Sequence, residues 1–277
     1  MDPDFPVNTG VLQNGMRLAY IETGSGEPVT LWIHGMGSYS ETFHHLFKAP
    51  DLAGRHIAPD MPGFGHSDHL PRVHTLNDYV EAVVGLMDAL NIPRAIIAGH
   101  SFGGMVAGET VIRHPERVDG VLFVSSAGWF FPENAMAPTP YPWINRIGIW
   151  FTGMEFFGRR MMQALGVNPD TLSKADRRRF QWGWRHAYEM ARMGRFYDSP
   201  RFADRVVASG RPLYAIHGSR DLLFPISRVK EAISDRFPLK IIEGAGHVPF
   251  YSHPNEFNRA LADGFSHLGA SPHNGSQ

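Results

Sequence analysis

Three residues of this chain have the types and settings needed to make a hydroxyl group nucleophilic. Ser101 stands in Gly99-His100-Ser101-Phe102-Gly103-Gly104, a G-x-S-x-G pattern. A bare match arises often by chance. Here the apolar run Ala95-Ile96-Ile97-Ala98 precedes it and a helical segment follows, which is the context the pattern requires. The reason is steric: a nucleophile on a very tight turn tolerates almost no side chain two positions away, and Gly99 and Gly103 supply that. Such a turn lifts the hydroxyl above the strand's carboxyl end, beside a helix N-terminus whose N–H groups stabilise negative charge. The bland alternative is a glycine-rich junction with an idle serine.

A serine at its ordinary pKa needs a base, and the base needs an orienting acid. His247, in Glu243-Gly244-Ala245-Gly246-His247-Val248-Pro249, is the candidate base, because it follows the last expected strand. Loops after strand carboxyl ends gather on one edge of a parallel sheet. Position, not type, selects it from 15 histidines. His100 neighbours Ser101, but its side chain is expected to point away from the turn. His44, His45, His66, His69 and His74 are expected at the surface or the pocket rim, and a metal cluster among them has no strong ligand spacing. Asp221, in His217-Gly218-Ser219-Arg220-Asp221, is the candidate acid; its bland alternative is a helix cap. The stretch after Val124, Ser125-Ser126-Ala127-Gly128, offers no carboxylate. The order Ser101, Asp221, His247 is that of the nucleophile-elbow class.

The elements that must position these residues alternate. Asn14-Gly15 signals a hairpin within Val11 to Ile21. Val29 to Ile33 and His56 to Ala58 read as strands. A helix starts at Thr75, which with Asp78 makes a loose capping box, and its apolar face runs through Leu76, Tyr79, Val80, Val83, Met87 and Leu90 until Pro93. Val118 to Val124, Leu213 to Ile216 and Leu239 to Ile242 are further strands. Ser227 to Asp235 and Pro254 to Leu268 are helices. The pattern predicts an α/β fold: a mostly parallel sheet flanked by helices.

Between Ala127 and Arg205 the alternation lapses. This stretch holds 16 of the 33 aromatic residues, five of the six tryptophans and a net charge of +5. We read it as a helical insert, with core residues 1–126 and 206–270 around it and a polar tail at 271–277. Its aromatics either build the insert's own core or line a substrate pocket. The candidates for lining are Trp129, Phe130, Trp143, Trp150, Phe151, Met154, Trp182 and Trp184, with Phe102 and Val248 from the core.

Composition narrows the classes. The 277 residues are 43% hydrophobic and 19% charged, which excludes a disordered interaction protein. A net charge of −1 gives no general basic field for nucleic acid. Without cysteine there are no disulfides, thiolate metal sites or cysteine nucleophile. No apolar run reaches the roughly 18 residues that span a bilayer, and Met1 to Pro6 lacks a signal peptide's features. A cytoplasmic enzyme acting on a small molecule, with no cofactor or metal, is the expectation. The oligomeric state is left open.

From about Val11 to Leu268 the chain resembles the α/β-hydrolase fold family, and most of all its capped esterase and C–C hydrolase branch. The motifs are His34-Gly35-Met36-Gly37, Asp60-Met61-Pro62-Gly63-Phe64-Gly65-His66-Ser67, the Ser101 elbow, Gly218-Ser219-Arg220-Asp221 and Gly246-His247. The resemblance implies an eight-stranded sheet, a cap at Ala127 to Arg205, and an oxyanion hole from the backbone N–H groups of Met36 and Phe102. Donors already in place stabilise developing charge, and losing one typically costs about 3–4 kcal/mol.

A serine nucleophile argues against the dehalogenases and epoxide hydrolases of the same fold, which use aspartate there. Carboxylic ester hydrolysis is the first expectation. C–C bond hydrolysis of diketone acids is the second, weakened because those enzymes resemble one another in a tryptophan after the histidine, where this chain has Val248. A lyase, perhydrolase or cofactor-free oxygenase, and a binding protein with a vestigial triad, complete the alternatives.

Overall fold

The computed structural model describes residues 4–49, 53–70, 72, 74–130, 154–185 and 201–269. The sheet begins with the expected hairpin: β1 (Asn8–Val11) and β2 (Arg17–Gly24) pair antiparallel. Gly15 takes φ +82°, and the Asn14 side chain accepts the Met16 N–H at 3.0 Å. β2 then runs antiparallel to β4 (Arg55–Pro59). Beyond it, β3 (Val29–Ile33), β5 (Ala95–His100), β6 (Val118–Val124), β7 (Leu213–Gly218) and β8 (Leu239–Ile242) pair only in parallel. The order across the eight strands is β1-β2-β4-β3-β5-β6-β7-β8. This is an α/β-hydrolase fold.

β3, β5 and β7 are buried at every position, which is why their sequences lack alternation: helices cover both faces. The pleat still sorts side chains. Leu31, Ile33 and Ile97 join one core cluster, against helices α2 (Leu76–Ala89) and α3 (Phe102–Arg113), which follow the one-turn helix α1 (His44–Phe47). Trp32, Ile96 and Ala98 join the other, which includes Phe257, Ala260 and Leu261 of the C-terminal helix Pro254–His267. The helix α2 starts as its capping box predicts, with the Asp78 carboxylate accepting the Thr75 N–H at 2.7 Å and hydroxyl at 2.8 Å. It stops at Ala89, short of Pro93.

Three described helices lie between β6 and β7: α4 (Glu155–Ala164), α5 (Lys174–Arg185) and α6 (Phe202–Ala208). The first two face each other over the carboxyl edge of the sheet. The third packs on α3, its Phe202 filling the space that a side chain at Gly108 would need. The motif-bearing loops after β3, β5, β7 and β8 all open on that same edge. The parallel strand directions dictate this.

Candidate active site

Ser101 sits between β5 and α3 with φ +54° and ψ −120°, a backbone state costly for any residue with a side chain. Its neighbours enforce the turn. A side chain at Gly99 would strike the Gly103 carbonyl, and one at Gly103 the Ile33 carbonyl. The Ser101 carbonyl accepts from the N–H groups of Gly104 and Ala127, both at 3.0 Å.

Asp221 and His247 meet in the structure. The His247 Nδ1–H donates to Asp221 Oδ2 at 2.8 Å, with both side chains buried. That bond leaves Nε2 as the ring's free lone pair. The other Asp221 oxygen, Oδ1, accepts the N–H groups of Leu223 at 2.8 Å and Phe224 at 3.0 Å. Burial pushes the Asp221 carboxyl up, but the His247 ring and its hydrogen bond, with His217 and the Phe224 N–H, outweigh it and hold the group below its usual value. His217 gives its own Nε2 proton to the Phe224 carbonyl at 2.8 Å; Asp221 is farther, at 3.4 Å.

Ser101 and His247 line one cavity of about 440 Å³, together with Met36 and Phe102. In this conformation no hydrogen bond within 3.5 Å joins the Ser101 hydroxyl to His247 among the described residues. The loop carrying Met36 is held by His34, which donates from Nδ1 to the Gly35 carbonyl at 2.8 Å and accepts the Met61 N–H at Nε2, 3.0 Å away. Burial lowers the His34 pKa, in keeping with that neutral tautomer. The Asp60 carboxylate organises the next loop, accepting the Ser40 N–H at 2.7 Å and the His66 N–H at 2.8 Å.

The structure sorts the expected lining residues. Phe130, Trp184 and Val248 line the cavity, as do Met36 and Phe102. Trp129 does not: it packs edge-on to Phe123 at 4.8 Å and against Phe202 and Phe237, as part of the core. Trp182 is also outside, its ring spent on Tyr39 at 4.4 Å and His66 at 4.7 Å. Met154 is exposed at the start of α4 and does not reach the cavity. Trp143, Trp150 and Phe151 lie outside the described residues. The sequence reading missed Met161, Leu165, Phe180, Leu222, Leu223 and Tyr251, all of which line the cavity. Met161 with Leu165, and Phe180 with Trp184, recur at i, i+4, so a helical register for these two segments would have exposed them.

Two expectations about histidines are corrected. His44 and His74 are buried, not at the rim. His100 does not point away from the site: its Nε2–H donates to the His247 carbonyl at 2.9 Å.

The buried His44 belongs to a polar cluster that joins α5 to the core. Arg179 of α5 lies 2.5 Å from Asp4, 3.0 Å from Glu41 and 3.1 Å from Asp176. Asp176 also lies 2.8 Å from His44 Nε2 and 3.3 Å from His45 Nε2. The two histidines and Asp176 bring their ligand atoms within 4.8 Å of one another. However, Arg179 Nη1 stands 3.1 Å from Asp176 and 3.4 Å from His44 Nε2, so the guanidinium already serves as the cation there.

Known proteins share the family and the fold. The family model described as the alpha/beta hydrolase family matches residues 31–260. An uncharacterized protein of Mycobacterium bovis is 27% identical over 272 residues, covering 88% of this chain and 76% of its own. A 2-hydroxymuconate semialdehyde hydrolase of a Pseudomonas strain is 39% identical over 126 residues, 44% of either chain. A crystal structure of a putative aryl esterase from Burkholderia cenocepacia superposes with a TM-score of 0.79 at 20% identity, covering 96% of this chain and 100% of its own. On the family match and the shared architecture, this chain belongs to the alpha/beta hydrolase family.

Proposed function

We propose that this protein is a serine hydrolase that cleaves carboxylic esters of small to medium apolar or aromatic substrates through an acyl-enzyme. The supporting observation is the 2.8 Å bond from His247 to Asp221 at a cavity that also holds Ser101 on its strained turn. In the proposed mechanism His247 Nε2 takes the Ser101 proton as the oxygen attacks the ester carbonyl. The N–H groups of Met36 and Phe102 hold the oxyanion. His247 then protonates the departing alcohol. Water, deprotonated by His247, attacks the acyl-enzyme and releases the acid. Asp221 keeps the ring in one tautomer and stabilises its charged form. The first step needs the Ser101 hydroxyl to close on His247, a contact that often tightens only with substrate present.

The mostly apolar lining of the cavity supports apolar ester substrates. Of its described lining, Arg179 is committed to Asp4, Glu41 and Asp176, while Arg228 keeps its charge 4.7 Å over the Phe130 ring. The rest is mostly apolar. The partial match to a semialdehyde hydrolase supports C–C hydrolysis as the second reading.

A panel of p-nitrophenyl esters of rising acyl length, run beside a yellow meta-cleavage compound, separates the two. Ester turnover that peaks at short or medium chains is expected. Loss of the yellow colour with no ester turnover overturns the reading. Ser101→Ala should lower ester turnover by about a million-fold and abolish fluorophosphonate labelling while the protein stays folded. Near-wild-type rates in that variant would remove Ser101 from the mechanism.

A further inference from the structure

His100 is buried beside the candidate site, and the steps above give it no part. Its position is constrained on every side. Nε2 lies 2.9 Å from the His247 carbonyl, which can only accept, so Nε2 carries the proton. Nδ1 is buried without a partner. The space beyond it is closed by the Met36 loop, where a side chain at Gly35 would stand 2.9 Å from Nδ1. A second proton at Nδ1 would be a buried donor with no acceptor, which is costly. Burial and the neighbouring His247 accordingly push the His100 pKa down to about 3. The ring packs 5.0 Å from the His247 ring, and edge-on to Phe250 at 5.0 Å.

We propose that His100 is a positioning residue, a permanently neutral strut that sets the spacing between the Ser101 turn and the His247 ring. This rests on the serine hydrolase reading above. The geometry is direct. His100 and His247 are 147 residues apart in the chain, yet one hydrogen bond joins them, and one peptide bond joins His100 to Ser101. The His247 peptide is gripped at both ends, since its N–H donates to the Leu165 carbonyl of the cap at 2.9 Å. The His100 ring therefore touches the nucleophile turn, the histidine loop and the Met36 loop at once. A small displacement of one loop against another is enough to misalign a proton transfer, and an error of 1 Å can cost about a hundred-fold in rate.

Two substitutions separate the hydrogen bond from the packing. His100→Phe keeps a ring but has no donor. His100→Gln offers an amide N–H at similar reach. The Phe variant should lose about ten- to a hundred-fold in kcat for p-nitrophenyl butyrate, with KM within about two-fold. The Gln variant should recover to within about three-fold of the wild-type kcat. Retention of more than half the kcat by the Phe variant overturns the proposal, and so does a Gln variant as slow as the Phe variant.

Nitrogen-resolved NMR of the wild-type histidines is the second measurement, and it does not depend on turnover or on a variant's folding. A single neutral Nε2–H tautomer for His100 from pH 5.5 to 8.5 is expected. An Nδ1–H tautomer or an imidazolium at pH 7 overturns the strut. If the wild type neither cleaves esters nor takes up a fluorophosphonate, the hydrolase reading fails. The strut is then judged by the His247 ring signals, which must move in the Phe variant.

Discussion

Asp221 shows how much one carboxylate can carry. It takes two backbone N–H groups on one oxygen and the His247 Nδ1–H on the other, so it shapes its own loop and the histidine together. Asp221→Asn should keep the loop, because the amide oxygen can still accept from Leu223 and Phe224. It should favour the wrong His247 tautomer and lower kcat by about 10⁴-fold. Steady-state kinetics beside a thermal melt check this; a fall in activity matched by unfolding would assign Asp221 to the loop alone. At this scale the candidates are legible in the sequence because Ser101, Asp221 and His247 each follow a strand of the sheet. His100 was misjudged because its partner, the His247 carbonyl, is a backbone atom that no residue pattern advertises.

The element that closes the site is α5, and its attachment to the core is polar as well as aromatic. Arg179, almost fully buried, is the counter-cation for Asp4, Glu41 and Asp176. Removing one partner of a buried ionic group strands the others, typically at about 3–5 kcal/mol. Arg179→Met should therefore loosen α5 more than Asp176→Asn does. Faster limited proteolysis around α5, with a lower melting temperature, is the expected result; equal protection in both variants would argue against Arg179 as the group that holds α5 down. A milder case is α2, where Asp78→Ala removes the group that accepts both the Thr75 N–H and its hydroxyl. A lost cap costs about 1 kcal/mol, visible as a shift of about 2–4 °C in the thermal melt. Thr75-x-x-Asp78 could be read from sequence because a capping box is local. The Arg179 cluster could not, because its members come from the N-terminal segment, the turn after β3 and α5.

Across the whole molecule, buried neutral histidines give the fold an acid-sensitive side. Burial lowers the pKa of His56 to about 4 and of His100 to about 3, from 6.5, and lowers His34 and His217 as well. His56 explains why: it accepts the Trp32 indole N–H at 3.1 Å and donates to the Ala53 carbonyl at 2.8 Å, so a second proton has no place. Each such group binds its proton more readily in the unfolded chain. Their stabilisation is complete above about pH 6.5 and falls as the pH drops toward 4 and below. Thermal melts from pH 8 to 4 should show a plateau and then a decline that begins near pH 6.5, before ordinary carboxylates titrate. A flat melting temperature down to pH 5 would contradict the neutral assignments. His56→Gln should flatten part of the decline.

The sequence by itself determined the alternation of strands and helices, the elbow at Ser101 and the chain order of the three candidate residues. Those depend on local rules: apolar runs covered on both faces, turns that need glycine, and loops that end parallel strands on one edge. Tertiary structure decided which aromatic residues face the cavity, for Trp182 and Trp184 are two positions apart on one helix yet only the second lines it. It also decided that His100 braces the histidine loop and that Arg179 is spent on three carboxylates. Residue type fixes what a side chain is able to bond. Only the packed arrangement, with its exclusion of water, selects the partner it bonds to.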